Sequence, residues 1–233
     1  IRRMRLEGAA RADILRALAH EDGWYVPSLY RWRDEAAAQE AGSWIDPIEE
    51  GLPTLIEKRL YRGFAESSGW EPCIVPFAEV VHDRLNVEIL RGCARGCRFC
   101  QAGMIYRPVR ERSMERLLEL AEKLVRATGY DEISLMSLSS GDYSCLPDLA
   151  REMVKRYQEK RVKISLPSLR IDSYLTDTLK ETQKVRKTAL TLAPEAGSQR
   201  LRDVINKGVT EEDLIRSVKE AFENGWSAVK LYF

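Results

Sequence analysis

The chain has 233 residues, with 37 lysines and arginines against 36 acidic residues and a formal net charge of +1, so it can bury a substantial core and is too evenly charged to coat nucleic acid nonspecifically. No apolar run approaches the roughly 20 residues of a membrane helix, and the amino-terminal IRRMRLEGAAR lacks the apolar segment of a secretory signal. A cytosolic protein without a membrane partner is the expectation; a specific nucleic-acid substrate stays open.

Up to about residue 79 the pattern is irregular. Met4 to His20 carries helical spacing (Ile14, Leu15, Leu18), GWYVPSLYRW mixes aromatics with a proline, and DEAAAQEAGS reads as a surface loop or weak helix. EEGLPTLIEKRL and GWEPCIVPF look like connecting chain. This half resembles a linker or domain edge more than an independent core. Ile1 falls inside a helical pattern and Phe233 inside a strand pattern, so the chain is expected to be a piece of a longer protein.

From Val80 the signal is regular. Asn86 to Leu90 predicts a strand that runs into a cysteine-rich loop, and Met114 to Gly129 an amphipathic helix with Leu117, Leu118, Ala121, Leu124 and Val125 on one face. Strand 132–138 and helix 146–160 follow, the latter with Pro147 in its first turn and Leu149, Met153, Val154 and Tyr157 facing inward. Next come strand 162–171, helix 176–185 and strand 187–194. Ser198 opens a short helix. Thr210 with Asp213 caps another, whose Leu214, Val218, Ala221 and Phe222 are expected to face inward, before a fifth strand in AVKLYF. Alternating strands and helices imply parallel βα units, either a barrel or an open α/β sheet. Parallel barrels gather ligands where strands end and βα loops begin. The cysteine loop, SSGDYS, PSLRID and APEAGS all fall on that edge.

Five cysteines, three of them within eight residues, argue against a secreted disulfide framework and for thiolates holding metal in a reducing compartment. In RGCARGCRFCQAG, Cys93, Cys97 and Cys100 have the spacing Cys-x-x-x-Cys-x-x-Cys, able to wrap three corners of an iron–sulfur cube and leave one iron open. Gly92, Gly96 and Gly103 suit a tightly folded loop. Zinc would need a fourth ligand from Cys73, Cys145, His20 or His82, none at paired spacing, and uncoordinated structural cysteines are the remaining reading.

CARGCRFC, with an aromatic before its last cysteine, resembles the radical S-adenosylmethionine superfamily. With EISLMSLSSGDYS, SLPSLRIDS, APEAGSQRLRDVINKGVTEEDL and VKLYF it resembles bacterial cobalamin-binding-domain members of that superfamily whose function is poorly defined. The resemblance covers residues 74–233 densely and extends thinly upstream through GWYVPSLY. It implies an α/β fold: a partial (βα)6-type, TIM-like radical SAM barrel over residues 80–233, incomplete at its C-terminal end, with parallel strands and outer helices. Residues 1–79 would be an irregular linker with the tail of a truncated cobalamin-binding domain.

The resemblance also implies roles. Cys93, Cys97 and Cys100 would ligate a 4Fe-4S cluster whose fourth iron takes the amino and carboxylate groups of S-adenosylmethionine. An electron from a donor such as flavodoxin or ferredoxin would release a 5′-deoxyadenosyl radical that abstracts hydrogen from a substrate the sequence does not identify. Phe99 would lie near the adenine, or else be a buried aromatic that stabilises the loop. Ser140, Gly141 and Asp142 stand where the family has a Gly-Gly-Glu-like motif toward the methionine amino group; the alternative is an ordinary turn with Asp142 capping the next helix. Arg170 would pair with the methionine carboxylate or form a surface salt bridge. Glu195 would approach ribose or methionine, or act as a helix N-terminal carboxylate.

Arg91, Arg95, Arg98, Arg107, Arg110 and Arg112 make the cysteine loop basic, for cluster and substrate charge or simply as a solvated face. Cys145 reads as a buried small residue near the same edge. Cobalamin in the parent protein, with methyl transfer to carbon, is implied by the resemblance alone, since Asp-x-His-x-x-Gly is absent from these residues. Two rival classes remain: an iron–sulfur electron-transfer or sensor module, and an RNA-modifying, methylthiotransferase-like enzyme.

Overall fold

The computed structural model describes residues 1–67, 73–167, 171 and 190–233. The chain divides into two compact units, Ile1–Arg62 and Gly63–Phe233, so the division falls earlier than the sequence pattern placed it, at residue 79.

The first unit has a core of its own, which the irregular pattern did not predict. The expected helix from Met4 to His20 is two helices, α1 (Arg2–Leu6) and α2 (Arg11–Ala19), separated at Gly8, which has φ 80°. Strand β1 (Tyr30–Trp32) pairs antiparallel with β2 (Ile45–Pro47), and between them DEAAAQEAG is the helix α3 (Glu35–Ala41). Its Asp34 cap accepts from the Ala37 amide at 2.9 Å, and Gly42 ends it in the left-handed region. Ala19, Val26, Leu29, Tyr30 and Leu52 pack together. This core joins α2, β1 and the loop segments around Val26, Leu29 and Leu52, too scattered to show as one periodic stripe.

In the second unit, β3 (Leu85–Glu88), β6 (Glu132–Met136) and β7 (Lys163–Ser165) form a parallel sheet in the order β3-β6-β7, with Val87 opposite Leu135 and Ile133 opposite Ile164. Burial alternates along the two outer strands, whereas Ile133, Ser134 and Leu135 are buried in succession, because a central strand is covered on both faces. Between β3 and β6, the short strands β4 (Leu90–Arg91) and β5 (Arg110–Glu111) pair antiparallel and enclose the helix α4 (Ala102–Ile105).

The helices α5 (Met114–Thr128) and α6 (Leu146–Tyr157) cover the sheet. Ser113 accepts from the Arg116 amide and Gly129 closes α5 at φ 73°, as the sequence signals require. Leu117, Leu124, Leu149 and Met153 are sealed in this core, each worth roughly 2 kcal/mol of apolar transfer.

A second parallel pair, β8 (Leu190–Leu192) and β9 (Val229–Leu231), carries α7 (Gln199–Val204) and α8 (Glu211–Glu223) in its connection. Leu190, Leu192, Val209, Ala221 and Trp226 form its core together with Ile171. Phe222 does not join them and is half exposed: Leu214, Val218 and Ala221 already complete the inward stripe, and the next position turns away from it. The third predicted strand is shorter than 162–171, ending at Ser165; the helix at 176–185 and the start of the fourth strand, 187–189, lie outside the described residues. The parallel strands with covering helices make an α/β fold consistent with a partial barrel. Among the described residues no helix is long and apolar enough to cross a membrane.

Candidate functional site

The cysteine loop leaves the C-terminal end of β3 and is closed at its neck by β4 and β5, where Leu90 faces Glu111 and Arg91 faces Arg110. Above that neck the chain folds on itself. Gly92 has φ 100°, and a Cβ there would meet the carbonyls of Tyr106 and Pro108; a Cβ on Gly103 would stand 2.7 Å from the Arg95 carbonyl oxygen. Only glycine allows both approaches. Arg107 Nη2 donates to the carbonyls of Ala94 and Arg95, each at 3.2 Å.

Cys93, Cys97 and Cys100 are free thiols, all partly buried. The Arg95 amide donates to Cys93 Sγ at 3.4 Å, and the Cys100 amide donates to the Cys97 carbonyl at 3.0 Å. In donor type, number and access the three sulfurs suit a thiolate-held cluster. Their side chains are not drawn together, however: among the described residues no group of three His, Cys, Asp or Glu is gathered to hold a metal ion.

Two other strand ends reach this loop. After β6, Ser140–Asp142 form a single helical turn. The Ser140 hydroxyl is fully buried, donates to the Pro167 carbonyl at 2.8 Å and lies 2.8 Å from Ser137 Oγ. That side chain is therefore committed to tying the end of β6 to the end of β7, which leaves Ser140 and Gly141 a backbone role. Asp142 does not cap the next helix: Cys145 holds that position without a side-chain cap. Instead, Asp142 accepts from Arg95 Nε at 3.0 Å and from Arg95 Nη2. Ser139 Oγ is buried with no hydrogen-bond partner among the described residues, an unsatisfied polar atom on this same turn.

After β8, Glu195 adopts φ 66° and its amide donates to the Tyr232 carbonyl at 3.1 Å, a bond that fixes the loop to the chain after β9. Its carboxylate takes Lys207 Nζ at 3.1 Å rather than a helix end. Lys207 Nζ also lies 5.9 Å from the centre of the Phe99 ring. Phe99 is 56 % exposed, so it is not a buried aromatic of the loop interior. Asn206 Nδ2 donates to the Gly96 carbonyl and the Arg98 amide to the Ile205 carbonyl, at 2.8 Å and 2.9 Å. Asp142 thus reaches the cysteine loop directly, and Glu195 is linked to it through Lys207, which stands beside the loop's own Phe99. Arg170 lies outside the described residues.

Arg98 and Arg107 are exposed, yet the arginines of this loop bond within the protein. Arg91 grips Glu88 through two bonds of 2.8 Å and 2.6 Å, and Arg98 donates to the Val204 carbonyl. Arg112 is 2 % exposed; it donates to the Glu88 carbonyl at 3.1 Å and to Ser67 through both its carbonyl and its Oγ. The Arg91 and Arg112 guanidinium groups stack on the buried Phe64 ring at 4.6 Å and 4.4 Å. The Tyr143 hydroxyl donates to the Arg112 carbonyl at 2.9 Å, and burial pushes its pKa up to about 12. No sequence signal marked Phe64, since its partners are far along the chain. Cys145 is exposed instead of buried. His20 is exposed and His82 Nδ1 lies 2.9 Å from Arg84 Nη2, and neither sits in an Asp-x-His-x-x-Gly motif.

Among known proteins, the chain is 41 % identical over 147 residues to an uncharacterized protein of Methanocaldococcus jannaschii, covering 63 % of this chain and 32 % of that one. It is 30 % identical over 152 residues to a probable threonylcarbamoyladenosine tRNA methylthiotransferase of Archaeoglobus fulgidus, covering 61 % and 35 %. The chain thus spans about a third of the length of these relatives. Among solved structures, the radical S-adenosylmethionine methyltransferase TsrM of Kitasatospora setae superposes with a TM-score of 0.48 at 16 % identity, over 64 % of this chain and 29 % of that one. The family model of the radical SAM superfamily matches residues 87–232, from within β3 past the end of β9. That span holds the cysteine loop and the loops after β6 and β8 that grip it, and the chain belongs to the radical SAM superfamily.

Proposed function

We propose that this chain is the catalytic domain of an enzyme that cleaves S-adenosylmethionine reductively, with Cys93, Cys97 and Cys100 as the three protein ligands of a 4Fe-4S cluster. The observation that carries this reading is the position of the three free thiols on the loop after β3, where the loops after β6 and β8 converge. When bound, such a cluster would pass one electron, supplied by a flavodoxin- or ferredoxin-like donor, to the sulfonium, yielding methionine and a 5′-deoxyadenosyl radical for hydrogen abstraction.

The chain's own groups bind and orient. The Arg95 amide donates to Cys93 Sγ and orients that sulfur on the loop. Because the Ser140 hydroxyl is tied inward, Ser140 and Gly141 can meet a ligand only through backbone. Glu195 is held by Lys207, and Phe99 offers an exposed ring beside the same lysine.

Identity to the Archaeoglobus fulgidus protein favours a second reading for the whole enzyme, methylthio transfer to an RNA base. Against it, Arg91, Arg95, Arg98, Arg107 and Arg112 are all engaged within the protein and do not form a phosphate-facing row. Cobalamin-dependent methyl transfer would be an activity of the full-length protein.

The test is anaerobic reconstitution of the full-length protein with iron and sulfide, followed by reduction with dithionite. A 4Fe-4S spectrum and release of 5′-deoxyadenosine are expected, both lost in Cys97→Ala and both kept in Cys145→Ser. An intact cluster with full cleavage in Cys97→Ala overturns the reading.

A further inference from the structure

We infer that Arg95 and Asp142 are positioning residues, a latch that holds the cysteine loop in register with the end of β6; its role in catalysis rests on the proposed function above. Arg95 stands between the first two cysteines, and its guanidinium presents Nε and Nη2 to the two oxygens of one carboxylate. This fork-to-fork contact fixes direction as well as distance, which a lysine could not do.

Both ends of the latch are anchored. The Arg95 backbone is the hub of the loop: its amide donates to Cys93 Sγ, its carbonyl accepts from Arg107, and Gly103 lies close against that carbonyl. Asp142 belongs to the turn that Ser140 fastens through Pro167, and it is relieved of any capping duty on α6. Rigid backbone thus meets rigid backbone through one ion pair. On the opposite flank Asn206 and Ile205, at the end of α7, hold Gly96 and Arg98, so the span from Cys93 to Cys100 is gripped from the β6 turn and from the end of α7. The grip of Asn206 and Ile205 reaches the loop after Arg95, and among the described residues the latch ties the segment between Cys93 and Cys97 to the β6 side.

The latch is tested by hydrogen–deuterium exchange on metal-free full-length protein. Amides in residues 92–101 should exchange about tenfold faster in Arg95→Ala and in Asp142→Asn, no faster in the double variant than in either single one, and near the wild-type rate in the swap Arg95→Asp/Asp142→Arg. Unchanged exchange in both single variants overturns the latch. On the cluster-loaded protein, Asp142→Asn should raise the S-adenosylmethionine concentration for half-maximal cleavage about tenfold while the thermal midpoint stays put; a lower midpoint with unchanged half-saturation would make the pair merely structural. A wild-type protein that fails to cleave S-adenosylmethionine overturns the proposed function, and the exchange measurement still decides the latch.

Discussion

Asn206 donates its side-chain amide to the Gly96 carbonyl at 2.8 Å, and the same nitrogen stands 2.8 Å from where a Cβ on Gly96 would lie. The β8 side of the molecule therefore reads the absence of a side chain in the cysteine loop. Replacing Gly96 by alanine would push aside the tip of a flexible side chain and weaken one hydrogen bond, at about 1 kcal/mol. Gly92→Ala is different in kind. Its φ of 100° and its close approach to the Tyr106 and Pro108 carbonyls leave backbone on every side, so the expected loss is roughly 3 kcal/mol. Urea unfolding of the two variants should separate them clearly; equal midpoints would mean that the loop backbone yields as readily as the Asn206 side chain.

Arg112 makes the second prediction. Truncation to alanine would orphan the Glu88 and Ser67 acceptors and open a space against Phe64, costing about 3 kcal/mol. Lysine keeps the charge but not the fork, so Arg112→Lys should recover less than half of that loss. Unfolding curves within about 0.5 kcal/mol of wild type for Arg112→Ala would show that the buried guanidinium adds nothing net, the outcome found where desolvation cancels pairing.

The elements legible in the sequence are those whose signals are local. Ser113 and Gly129 bracket α5, Pro147 opens α6, and Thr210 with Asp213 starts α8, each within one turn of where the chain pattern set it. The cysteine spacing and the loops after the first, second and fourth predicted strands were equally visible. What escaped depends on partners distant in sequence. Asp142 read either as part of a motif facing the methionine amino group or as a cap, and neither reading could show that Arg95, 47 positions earlier, claims its carboxylate. The arginines read either as charge for cluster and substrate or as a solvated face, and their acceptors, the carboxylates of Glu88 and Asp142 and several backbone carbonyls, are revealed by no composition. Cys145 looked like a packing residue and sits exposed at a helix start, where the preceding turn lifts it off the core.

The capping box of α8 gives a pH-dependent prediction. Thr210 Oγ1 accepts from the Asp213 amide at 3.0 Å while Asp213 Oδ2 accepts from the Thr210 amide at 3.1 Å. That backbone bond is the main cause that holds the Asp213 carboxyl below its ordinary range, with the Thr210 side chain and Arg216 adding to it and burial opposing. A carboxylate whose pKa is lower in the folded state stabilises fully above its unfolded pKa, about 3.9, and loses that contribution as the pH falls toward the depressed folded value. Asp213→Ala should therefore cost about 1 kcal/mol near pH 7, and the gap from wild type should narrow below about pH 4. It need not close, because a protonated carboxyl still accepts from the Thr210 amide. Urea unfolding of both proteins across that range checks it: a gap of constant size from neutral pH into acid would mean that hydrogen-bond geometry, and not the charge on Asp213, holds the start of α8.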